Sequence, residues 1–129
     1  MYVGCVLKLG VWRRRPDAKW RLRPQQLADR RREQQAVLAL AAPLVKPGGR
    51  LAYITCSVLE EENTDRVAAL IAADATFSVT PPGSLVDAYE REAMIEIGGR
   101  ARLLATGLLL TPRSSGTDGF FVSVLQKRG

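Results

Sequence analysis

At 129 residues, with 47% hydrophobic and 25% charged residues, the chain has the size and balance of one small globular domain, expected to span residues 1–129. No stretch approaches the ~18 consecutive apolar residues of a membrane span, so no membrane partner is expected. With no histidine and two cysteines, neither a structural zinc centre nor a secreted disulfide scaffold fits, and a reducing, cytoplasmic location is expected. The net charge of +6 is unevenly spread, and its distribution says more than its size.

Residues 1–10 (MYVGCVLKLG) read as a short Val/Leu-rich strand ended by Gly10, too short and wrongly flanked for a secretory signal. A basic loop follows over residues 11–23, with a Pro–Asp turn at Pro16 and Asp17. Between Arg13 and Arg32 stand nine basic residues (Arg13, Arg14, Arg15, Lys19, Arg21, Arg23, Arg30, Arg31 and Arg32) against Asp17 and Asp29. Trp12 and Trp20 bracket the first half of this run. A field of one sign with interleaved aromatic rings suits a nucleic-acid backbone and its unpaired bases. The plainer reading is a solvated basic face.

Pro24 suits the first turn of a helix, and residues 25–42 continue it with Leu27, Leu38, Ala41 and Ala42 roughly on one face. Pro43 and then Pro47–Gly48–Gly49 end it. Residues 51–55 (LAYIT) have the short apolar, β-prone character of an inner strand of a parallel sheet. Cys56 follows at the carboxyl end of that strand, the edge where open α/β sheets bind ligands. Ser57 and Glu60 have the spacing of a capping box, which predicts a helix from about Leu59 to Asp74 and sets the thiol near a helix N-terminus. A brief strand is expected over residues 76–80, stopped by Pro81–Pro82–Gly83. Residues 84–105 are hard to read: 86–97 suit a short amphipathic helix, whereas Gly98–Gly99 and the charges suit a surface excursion. Residues 107–111 and 120–125 read as strands joined by a loop too short for a crossover, hence antiparallel.

The order β–α–β–α–β, a variable stretch, then β–β gives an α/β class. It is part of a Rossmann-like, mostly parallel sheet closed by a C-terminal antiparallel hairpin. No G-x-G-x-x-G turn follows a strand and no P-loop occurs, so the chain itself carries no recognisable nucleotide cradle.

Four ordered stretches, WRRRPDAKWRL (12–22), VKPGG (45–49), YITCSVLEEEN (53–63) and LTPRSSGTDGFF (110–121), carry a specific resemblance. They resemble the carboxyl-terminal half of the catalytic domain of RsmB/Sun-type RNA cytosine-5 methyltransferases. That resemblance implies an rRNA or tRNA substrate, S-adenosylmethionine as methyl donor, and a class I methyltransferase fold. It also implies that Cys56, between Thr55 and Ser57, attacks carbon 6 of an accessible or flipped cytosine. Thr55, Ser57 and Asp17 would support the site, and Arg13, Arg14, Arg15, Lys19 and Arg21 would seat RNA.

The family's Gly-rich cofactor turn and ribose-holding acid would lie upstream of Met1. The isolated chain is therefore expected to be weak or inactive, and to self-associate through an exposed sheet edge. A further family motif, Asp-x-Pro-Cys, is not matched. Its cysteine falls at Val6, its Asp at Val3 and its Pro at Cys5. Either Cys5 substitutes through a one-residue shift or residues 1–9 are unrelated sequence, the reading preferred here. Without the resemblance, Cys56 reads as a buried strand-end cysteine. A non-catalytic RNA-binding module or inactive remnant stays open, as does a thiol–disulfide protein using Cys5 and Cys56, though the pair lacks C-x-x-C spacing.

Overall fold

The computed structural model describes residues 2–5, 23–93, 100–116 and 119–129. Strand β1 (Tyr2–Cys5) is followed by helix α1 (Pro24–Ala41), a 3-10 turn at Ala42–Leu44 and strand β2 (Arg50–Thr55). A second 3-10 turn (Glu60–Glu62) leads into α2 (Thr64–Ala73) and β3 (Phe77–Val79). Helix α3 (Pro82–Ala93), β4 (Arg102–Leu104), β5 (Gly107–Leu110), the single turn α4 (Pro112–Ser115) and β6 (Phe120–Lys127) complete the order.

Helix α1 starts as its sequence dictates. Pro24 occupies the first turn, where its missing N–H costs nothing, and the Gln26 side chain reaches back to accept from the Arg23 N–H at 3.0 Å. Its inward face carries Gln34, Leu38 and Ala41. The turn after it depends on Gly48 at φ 76°, a conformation that lets the Gly48 N–H reach Lys127 O at 3.0 Å.

Five strands form the path β1-β2-β6-β5-β4, and β3 joins beside β5 on β6. β1 pairs parallel with β2, Cys5 opposite Thr55. β6 runs antiparallel to β2 along its length, from Arg50 opposite Gln126 to Thr55 opposite Phe121. Its first residues pair with β5 and its last with β3, both antiparallel. The α/β class and the closing hairpin are as read from the sequence, but the mostly parallel sheet needs correcting. Of the five pairings among the described residues only one is parallel. The cause is the position of β6. It is reversed and inserted between β2 and β3, so β1, β2, β3 and β5 all point one way while most of their hydrogen bonds go to a strand pointing the other.

The core lies between the sheet and the two helices α1 and α2. Leu51, Tyr53, Phe121 and Leu125 rise from the sheet to meet Leu38, Ala41, Val67 and Leu70. Phe121 and Tyr53 pack edge to face, ring centroids 6.3 Å apart at 70°. Lys127 closes one end, its ammonium 5.3 Å from the Phe77 ring centre and 3.1 Å from Ala42 O. On the opposite face, Leu85 and Val86 of α3 stand over Leu108, Leu110, Val122 and Val124 around an apolar hollow of about 380 Å³. Among the described residues no helix is long and apolar enough to cross a membrane.

The strand expected over residues 76–80 is present as β3 and ends before Pro81–Pro82–Gly83. Pro82 also opens α3, because proline is compatible with a first helical turn, and α3 overlaps the helix expected over 86–97, of which residues 94–97 lie outside the described residues. The charged stretch after it also contains β4, which pairs with β5 across a tight turn from Leu104 to Gly107.

Candidate active site

Period-two alternation along β2 turns Leu51, Tyr53 and Thr55 toward the helices, and all three are buried. The chain leaves the sheet immediately after Thr55. Cys56 therefore sits at the carboxyl edge and is partly exposed. The residue as a whole is not buried in the interior.

Both neighbours of Cys56 are fixed by a buried polar network. The Ser57 hydroxyl donates to Glu62 Oε2 at 2.6 Å and accepts the Leu59 N–H at 3.1 Å. The Thr55 hydroxyl donates to Asn63 Oδ1 and accepts from the Ser57 N–H at 3.3 Å. Asn63 Nδ2 returns to the Ser57 carbonyl at 2.8 Å. The Tyr53 hydroxyl donates to the Glu62 carbonyl at 2.6 Å, and Gln34 Nε2 of α1 reaches Glu62 Oε1 at 3.4 Å. Thr55, Ser57 and Glu62 have no exposed surface. A buried hydrogen-bonded network rigidifies what it holds, here the backbone on either side of one sulfur atom.

This arrangement corrects the capping-box reading. Ser57 bonds Glu62, not Glu60, and Glu60 is exposed. A 3-10 turn intervenes, so α2 begins only at Thr64. The helix does not follow the thiol directly, but Asn63, the residue that precedes α2, bonds both neighbours of Cys56 and so keeps the helix start against this loop. Thr55 and Ser57 flank Cys56, and both are buried and hydrogen-bonded. Arg13, Arg14, Arg15, Asp17, Lys19 and Arg21 lie outside the described residues. The backbone of Cys5 ends β1 opposite Thr55, one step in register from Cys56.

Glu62, Asn63, Tyr53 and Gln34 were missed by sequence reasoning. The sequence reading placed Glu60–Glu62 in the first turn of a helix from about Leu59, which gave Glu62 no buried partner. Gln34 did carry a signal, since it lies four residues before Leu38 and seven before Ala41, on the buried face of α1.

The comparisons with known proteins converge on one family. The model of the 16S rRNA methyltransferase RsmB/F family matches residues 4–126. This chain belongs to the RsmB/F methyltransferase family. The ribosomal RNA small subunit methyltransferase B of Erwinia tasmaniensis is 36% identical over 119 residues, 92% of this chain and 24% of its own length. Its namesake from Salmonella newport is 45% identical over 73 residues, 55% of this chain and 17% of its own. The chain spans about a quarter or less of these relatives. Among solved structures, PH0851 superposes with a TM-score of 0.73 at 28% identity, over 96% of this chain and 26% of that one. NSun6 from Pyrococcus horikoshii gives 0.58 at 25% identity, over 77% and 22%.

Within this RsmB/F chain, the hollow beside the Cys56 loop is small. It measures about 170 Å³ and is lined by Val58, Glu60, Asn63, Thr64, Arg102, Leu104 and Leu109. Pockets that bury cofactor-sized ligands run to roughly 300–1,000 Å³. S-adenosylmethionine does not fit there.

Proposed function

We propose that the chain is part of an RNA cytosine-5 methyltransferase in which Cys56 is the covalent nucleophile. The observation that carries this is a partly exposed thiol at the carboxyl edge of the sheet, between two buried, hydrogen-bonded residues. Family membership and the names of the relatives support the RNA substrate.

The chemistry asks for a thiol because a thiolate is a strong nucleophile and an acceptable leaving group. Its sulfur bonds to carbon 6 of cytosine, and the electron pair of the 5,6 double bond passes to carbon 5. Carbon 5 thereby becomes able to take an electrophile. Loss of the carbon 5 proton then restores the double bond and expels the sulfur. The protein contributes placement, since an anchored Thr55–Cys56–Ser57 step holds the sulfur in one position while the base is brought to it. A flipped or unpaired cytosine is required, since carbon 6 is covered in a stacked helix. The methyl donor proposed is S-adenosylmethionine, held by residues other than those lining the small hollow.

Addition at carbon 6 is testable without a methyl donor. In deuterium oxide, reversible addition exchanges the carbon 5 proton of cytosine for deuterium, which mass spectrometry of the recovered RNA detects. The expected outcome is exchange above background with the native chain and none with Cys56→Ala. Exchange that survives Cys56→Ala, or no exchange with the native chain, overturns the nucleophile assignment.

A separate expectation concerns the donor. Calorimetric titration of the 129-residue chain with S-adenosylmethionine should show no tight binding. A dissociation constant in the ~1 μM range, about −8 kcal/mol, would show that the residues present suffice to hold it.

A further inference from the structure

The outer faces of α1 and α2 meet in an open groove of about 710 Å³. Arg31, Arg32 and Arg66 line it together with Gln25, Gln35 and three alanines, and among the described residues no carboxylate lines it. Arg66 is held in place from two sides, its Nε donating to Glu61 O at 3.1 Å and one terminal nitrogen to Gln35 Oε1 at 3.1 Å. Arg31 Nε is shielded from solvent and has no hydrogen-bond partner among the described residues. Such a donor is costly to leave unsatisfied, and an oxygen acceptor entering the groove would remove that cost. Arg32 pairs with Asp29, but both side chains are largely exposed, at 73% and 48%. Exposed pairs of this kind contribute little, so Arg32 can exchange its partner cheaply.

The groove is coupled to the Cys56 loop through a short run of contacts. Gln34, one turn beyond Arg31, bonds Glu62, and Glu62 bonds Ser57. Gln35 beside it bonds Arg66. Helix α1, which carries Arg31 and Arg32, is therefore joined to the Cys56 loop.

We propose that this groove seats backbone phosphates of the RNA strand flanking the target cytosine, with Arg31 and Arg32 as the principal contacts and Arg66 as a fixed third. Guanidinium forks match phosphate oxygens in pairs, and small side chains between them let the sugar–phosphate chain come close. The proposal rests on the RNA reading above and adds a strand path to it.

Binding of a fluorescein-labelled single-stranded oligoribonucleotide, followed by anisotropy at several salt concentrations, tests it. Arg31→Gln combined with Arg32→Gln should weaken binding about tenfold. It should also flatten the slope of log affinity against log salt by about 1.4, two single-strand phosphate contacts at about 0.7 each. Lys46→Gln combined with Arg128→Gln removes the same charge at residues that do not line the groove and should change affinity by less than about twofold. Arg32→Glu, at an exposed position, serves as a second probe should the first pair fold poorly, and it should weaken binding at least as much. Equal weakening by the two charge-matched pairs overturns the groove while leaving the RNA reading intact. No RNA binding by the native chain overturns both. Displacement of the RNA by a polyglutamate peptide at equal concentration overturns the assignment to phosphate.

Discussion

Glu62→Ala is expected to destabilise the chain by about 3 kcal/mol and to lose Cys56-dependent exchange at carbon 5 of cytosine. The side chain is fully buried, and alanine strands the Ser57 hydroxyl and Gln34 Nε2 with no acceptor, each costing about 1–3 kcal/mol. It also frees the backbone after Cys56, so activity should fall more steeply than the folded fraction. Glu62→Gln is a sharp contrast. Its amide oxygen still accepts from Ser57. Its amide nitrogen meets Gln34, whose Oε1 has no partner among the described residues and can turn to accept it. A loss of less than about 1 kcal/mol is therefore expected for Glu62→Gln. Urea midpoints for the three proteins check this, and equal losses for the two variants would sink the network account.

Gly107→Ala should be comparably damaging, at about 3 kcal/mol, the upper part of the overpacking range. A methyl group there would lie 2.4 Å from the Val122 carbonyl oxygen and 3.0 Å from the Phe121 ring. That oxygen belongs to the central strand β6 and cannot move away without breaking pairing on both sides. The same substitution at Gly83, inside α3 with nothing within 4 Å, should instead stabilise by about 0.5–1 kcal/mol. Thermal melts of the two single variants should move in opposite directions.

The elements with regular periodicity were legible in the sequence. β2 and β6 declare themselves by apolar runs between glycine-rich turns, and α1 by Pro24 at one end and Pro43 at the other. The position of Cys56 followed from the end of β2. What could not be read was long-range pairing. Nothing local in residues 120–127 says that they lie between β2 and β3, because an apolar strand has the same pattern at the centre of a sheet in either direction. The anchors of Cys56 were hidden for a related reason. Ser57 offers its hydroxyl equally well at spacings of three and five, and only the 3-10 turn at Glu60–Glu62 selects Glu62. Gln34 interrupts an apolar stripe, and its meaning appears only once α1 lies over the Glu62 turn.

The central place of β6 has a consequence for how the molecule is made. β6 comes after β2, β3 and β5 in the chain, and all three need it for pairing. Roughly seventy residues must be synthesised and held open before Tyr53 meets Ser123, and closing so wide a separation is slow. Until β6 has been made, the nascent chain has helices, the parallel β1–β2 pair and the antiparallel β4–β5 pair but no completed sheet. Loss of residues 120–127 would thus remove the keystone of the sheet.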